Sequence, residues 1–117
     1  IEANVYRDIF ATAPTLIVVC GVPKESFRMR TYVLDCAITI QNILLMTHAL
    51  GLGSVYINFD RPEHANLIKH IESLLSVPED IKIMAILPVG YPDEQPVPPS
   101  RKEIREIVYQ EKYVRHS

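Results

Sequence analysis

From Met29 to Leu50 the chain offers about six helical turns without a glycine or a proline. Apolar residues fall on nearly every face of that run, which marks a central helix rather than a surface one. Such a helix needs cover from all sides. A chain of 117 residues has little left over to supply it, so a dimer is expected. Gly51 stops the run, as a C′ glycine in a left-handed conformation does. Gly53 follows closely and points to a backbone that bends sharply or lets something approach. The pair is not a dinucleotide loop. That fingerprint needs a third glycine where Tyr56 stands, with a strand before it and a helix after it. Here the order is reversed.

The flanking segments fill in the fold. Ala3 to Phe10 reads as a short helix with Val5, Ile9 and Phe10 on one side, broken at Ala13-Pro14. Thr15 to Cys20, TLIVVC, is a continuous β-branched run and predicts a strand buried on both faces. Gly21 to Phe27 is a connection. Ser54 to Phe59, SVYINF, predicts a short strand. Asp60 is a good N-cap for the next helix, with Pro62 in its first turn. Leu67, Ile68, Ile71, Leu74 and Leu75 share one face of that helix, and Ser76 to Glu79 ends it. Ile81 to Gly90 is another buried strand, with Pro88 expected at an end or an edge because proline cannot donate to a ladder. Gly90 to Ser100 holds four prolines and is extended. Lys102 to Tyr113 predicts a helix packing through Ile104, Ile107 and Val108. The alternation of helices and strands indicates a mixed α/β or α+β architecture, with residues 1–117 as one domain.

Composition narrows the function classes. A formal net charge of −2 gives no reason to expect nucleic acid or an anionic membrane as partner. No charge-free apolar run reaches the length of about 18 residues that a membrane span needs; Cys36 to Leu50 is too short and carries Gln41, Asn42 and His48. Cys20 and Cys36 lie in apolar surroundings without metal-ligand spacing, so buried free thiols and a cytoplasmic location are expected. The chain opens at Ile1 in mid-pattern, which suggests a piece of a longer protein.

Few constellations carry chemistry. His48, His64, His70 and His116 form no i, i+4 pair and have no cysteine neighbour, so no metal site is expected; His48 can cap the last carbonyls of the long helix. Ser54 in GLGSV lacks the second glycine of a nucleophile elbow, and neither cysteine has an evident base. Asp35, Thr39 and Asn42 form one polar stripe on the long helix, and Gln41 and His48 another. Both read as satisfied core or interface groups, with ligand lining as the alternative. Ser100-Arg101-Lys102 is a basic pair near a helix start, suited to a phosphate or simply solvated. The residues alone indicate an α/β domain, dimeric, with a small anionic ligand as one option.

Three segments in order carry a more specific resemblance. DCAITIQNILLMTHALGLGSVYI, Asp35 to Ile57, resembles the central helix and following strand of the nitroreductase family of FMN-dependent NAD(P)H oxidoreductases. APTLIVVC, residues 13–20, resembles the strand before that helix. ILPVGYPDEQPVPPSRKEIREIV, residues 86–108, resembles the late strand, its GYP turn and the basic residue that follows. The resemblance implies an α+β sandwich with a mostly antiparallel sheet, a long buried central helix and an intertwined homodimer holding FMN at the subunit interface. It places Gly53, Ser54, Tyr56, Ile57 and Asn58 near the flavin ring and Arg101 at the FMN phosphate. Asn58 stands where many relatives have a glycine or an acid, and nothing matches the family's N-terminal arginine motif.

The activity implied is ping-pong. NAD(P)H reduces the flavin and leaves, and a nitroaromatic, quinone or similar acceptor takes its place. The cofactor carries the electron chemistry, which agrees with the lack of an acid–base or nucleophile constellation. The resemblance names no catalytic side chain. A flavin-less dimerising module and a non-redox ligand-binding protein are the alternatives on the same fold.

Overall fold

The computed structural model describes residues 8–23, 31–59 and 62–115. Residues 8–12 are helical. Then come β1 (Thr15–Gly21), α1 (Thr31–Ala49), β2 (Gly53–Ser54), β3 (Ile57–Asn58), α2 (Ala65–Leu74), β4 (Lys82–Gly90) and α3 (Ile104–Ile107). The order of elements is the one expected. Val5, His116 and the proposed N-cap Asp60 lie outside the described residues, and Pro62 belongs to a 3-10 turn, Pro62–His64, ahead of α2.

The sheet is antiparallel throughout, with β4 between β1 on one side and β2 and β3 on the other. A bulge in β4 organises both cores. Val19 pairs with Ala85 but Cys20 pairs with Ile83, so Met84 has no partner in β1. The inserted residue changes the face that β4 presents. Ala85 and Leu87, with Val19, pack under α1 against Cys36 and Ile40. Ile83 and Ile86 pack on the opposite face with Ile57 and Phe59, against Ile68 and Ile71 of α2 and Ile9 and Phe10 before β1. The result is a helix–sheet–helix sandwich of the α+β class.

Five expectations need correction. Pro88 is not at an end or an edge: it lies inside the central strand, opposite Leu16 of β1. On its other side β2 and β3 keep one register but the ladder lapses at Val55 and Tyr56, which face Pro88 and Leu87. A residue without an N–H is accommodated where ladder bonding is interrupted, so SVYINF is a strand in two pieces. β1 is an edge strand, with Leu16 and Cys20 exposed. A β-branched run does not say how many neighbours it will have. In α2, Ile68 and Ile71 pack but Leu67, Leu74 and Leu75 are exposed. The C-terminal helix is a single turn, Ile104–Ile107, followed by extended Val108. Ile104, Ile107 and Val108 are all exposed, and one turn without a packing face lacks the support that most helices draw on.

The helix stops follow the local chemistry. Gly51 has φ +74°, its N–H donates to the carbonyl of His48, and the N–H of Leu52 donates to that of Thr47. This is the Schellman pattern. α2 ends the same way with no glycine: Ser76 has φ +54° and donates to Ser73, while Val77 donates to Glu72.

Within this chain α1 is covered on one side only. Cys36, Ile40 and Thr47 are buried, whereas Leu34, Ile38, Leu45, Met46 and Leu50 are each more than half exposed. The radius of gyration, 17.6 Å, exceeds the roughly 13 Å of a compact chain of this length.

Candidate functional site

The strand from Gly53 to Phe59 runs along the edge of the sheet opposite β1. Ile57 and Phe59 turn into the lower core, so only the backbone of Ile57 is available to a ligand. Tyr56 and Asn58, with Phe59, line a cleft of about 300 Å³. The cleft also takes in Tyr32, Val33 and Ala37 of α1 and Lys82 of β4. Its size is at the lower end of the roughly 300–1,000 Å³ typical of small-molecule sites. Tyr32 owes its position to Gly21, where a Cβ would lie 2.5 Å from the tyrosine ring.

Ser54, on the same strand, does not line this cleft but is chemically unusual. Its Oγ is buried and has no hydrogen-bond partner among the described residues. An orphaned hydroxyl is costly in a folded chain and calls for a partner that the described residues do not provide. Gly53 is close to the late turn rather than to open space: a Cβ there would come within 3.3 Å of Pro92 Cβ. The GLGS and GYP motifs are thus neighbours, joined through the pairs Gly53–Gly90 and Ser54–Val89.

Arg101 lies outside this group. It is exposed in the extended segment after Gly90 and does not line the cleft. The stripe expected on α1 borders two other concavities: Asp35 and Thr39 reach one, Thr39 and Asn42 the other. The Thr39 hydroxyl donates to the carbonyl of Asp35 at 2.8 Å. Cys36 is buried; burial pushes its thiol pKa up, and the charge of Asp35 adds to this. That is the opposite of an activated thiolate. Cys20 is exposed at the sheet edge, not buried as expected. Among the described residues no helix is long and apolar enough to cross a membrane.

Sequence reasoning missed Tyr32, Val33, Ala37 and Lys82 as cleft residues. The helical spacing of Tyr32, Val33 and Ala37 was visible. Which side of an all-apolar helix would meet the strand was not.

Known proteins place this architecture. The sequence profile described as "Nitroreductase family" matches residues 1–91, and the chain belongs to that family. It is 36% identical over 95 residues to a protein of Methanothermobacter thermautotrophicus provisionally named NADH dehydrogenase/NAD(P)H nitroreductase, covering 81% of this chain and 49% of that protein. A protein of Archaeoglobus fulgidus with the same provisional name is 34% identical over 96 residues, 80% of this chain and 53% of its own length. The chain therefore spans about half the length of the curated relatives it matches. A crystal structure from Bacteroides thetaiotaomicron, again with that provisional name, superposes with a TM-score of 0.75 at 30% identity, over 90% of this chain and 60% of the other. An FMN-dependent nitroreductase from Clostridium difficile superposes with a TM-score of 0.71 at 26% identity, over 84% and 58%.

Proposed function

We propose that this chain belongs to an FMN-dependent NAD(P)H oxidoreductase, in which residues 1–117 act as one nitroreductase-like domain. The observation that carries the reading is the buried Ser54 hydroxyl, without a partner among the described residues, on the strand expected beside the flavin. The residues present fit one wall of such a site. Ser54 can donate to or accept from a polar ring edge. Tyr56 and Asn58, further along the strand, line the cleft and can limit which molecules reach the ring. The backbone of Ile57 approaches while its side chain anchors the strand. When bound, FMN supplies the redox chemistry, taking reducing equivalents from NAD(P)H and passing them to a nitroaromatic, a quinone or a related acceptor in a ping-pong order.

The second wall, in this reading, comes from a second copy. The cleft is small and Arg101 lies outside it. The outer face of α1 is apolar and exposed, as a homodimer interface would be before assembly. Arg101 then meets the FMN phosphate in the assembled protein, where its guanidinium is suited to a bidentate contact. A cytoplasmic location accords with the two free thiols.

The test is a visible spectrum of the purified chain before and after FMN addition and desalting. Retained bands near about 450 nm, as an oxidised flavin cofactor gives, that bleach with NADH support the reading. A colourless protein that never holds FMN overturns it for this chain and favours a flavin-less dimerising module.

A further inference from the structure

Gly53 was expected to let a ligand approach; what occupies the space beside it is Pro92. A Cβ on residue 53 would lie 3.3 Å from Pro92 Cβ and 3.6 Å from its Cα, with the Gly90 carbonyl oxygen at 3.7 Å. The first of these is tighter than ordinary carbon contacts. The turn after β4 is therefore seated on the bare backbone of β2. Gly90 gives a second seat: a Cβ there would lie 3.0 Å from Pro14 Cδ. Two prolines from distant parts of the chain thus close on two paired glycines, Gly53 and Gly90.

The placement has a consequence for the site. The ladder that holds Ser54 is short. It consists of Gly53–Gly90 and Ser54–Val89, and lapses at the next residue. A two-residue strand has little pairing of its own to fix it. Proline, with its backbone φ already restricted, makes a stiff stop against it. We propose that Pro92 is a positioning residue for the candidate site: it packs on Gly53 and so fixes where the Ser54 hydroxyl stands. Gly53 is the seat for this contact rather than a ligand contact. The cofactor half of the inference rests on the FMN reading above; the mechanical half does not.

The experiment compares wild type, Gly53→Ala, Pro92→Gly and the double variant Gly53→Ala/Pro92→Gly. Amide hydrogen exchange at residues 53 and 90, taken as protection factors, reads the ladder without any ligand. Gly53→Ala should speed exchange at both amides about tenfold or more, and adding Pro92→Gly should bring the rates back to within about threefold of wild type, because the clash is pairwise. FMN titration of the same four proteins should show the same pattern, affinity falling in Gly53→Ala and recovering in the double variant.

Unchanged protection at residues 53 and 90 in Gly53→Ala overturns the proposal. So does a double variant as loose as Gly53→Ala, since a general loss of stability at residue 53 would not be relieved by removing a ring at residue 92. If wild type binds no FMN while the exchange pattern holds, the positioning role stands and the flavin reading falls. If FMN binds equally to all four, Pro92 does not position the site.

Discussion

β4 and α1 look alike as sequences, both apolar over most of their length, and the structure treats them differently. β4 is enclosed. It has strands on both edges and a helical layer on each face, and Ala85 and Leu87 are fully buried. α1 has one covered side. Cys36 and Ile40 reach the core, while Ile38 and Met46 are more than half exposed. Apolar character records that a residue is to be buried somewhere. In β4 this chain accomplishes the burial; on the outer side of α1 it does not.

That contrast can be broken most sharply by truncation. Leu87→Ala should cost about 3–4 kcal/mol, the range for a fully enclosed leucine, read from the shift in urea midpoint at unchanged slope. Ile38→Ala in the isolated chain should cost less than about 0.5 kcal/mol, as exposed positions do. Equal losses at the two sites would mean that the outer face of α1 is covered in solution as thoroughly as β4.

The next effect concerns assembly. Ile38→Glu should lower the sedimenting mass at a protein concentration of about 10 μM if a second copy covers α1, because a charge at an apolar interface core is strongly disfavoured. Identical mass for wild type and variant at every concentration would remove the dimer from the account.

Smaller still are the helix stops. Gly51→Ala should destabilise by about 1 kcal/mol, the cost of a Cβ in the left-handed region. Ser76→Gly should stabilise by roughly 0.5–1 kcal/mol for the same reason. Thermal melts check both, and a gain from Gly51→Ala would mean that the left-handed stop is not needed.

The smallest expected effect is the pH dependence from Cys36. Its thiol pKa is raised on folding, by burial first and by Asp35 second. The folded state holds this proton more tightly than the unfolded chain. Its contribution is therefore fully present below the unfolded thiol value and is lost as pH rises toward the folded one. Stability should fall as pH rises above the unfolded thiol value, more steeply in wild type than in Cys36→Ala. Parallel profiles would show that the buried thiol is not what titrates.

How far the fold was legible follows from which interactions are local. The long helix, its stop at Gly51 and the order of elements were readable because helix continuity and the left-handed stop depend on neighbours within a few residues. The motif segments carried the family; the profile match over residues 1–91 covers the first two and the start of the third. The candidate site was legible only as a list. Tyr56 and Asn58 line one cleft, Ser54 is a buried orphan on the same strand, Ile57 faces the core and Arg101 is elsewhere. The C-terminal helix was overread because Ile104, Ile107 and Val108 have helical spacing but stay exposed, with no described element burying them.

By itself, then, the sequence determined what local physics determines: where α1 ends, which strands are apolar, and where proline and glycine interrupt regular structure. Only the tertiary structure decided the rest. The bulge at Met84 chose which residues of β4 face each core, and the lapse between β2 and β3 accommodated Pro88 inside the sheet. Pro92, distant in sequence, came to rest on Gly53. Register and contact between remote segments depend on pairings that no short stretch encodes, since a slip of one residue exchanges the faces of a strand while leaving its composition unchanged.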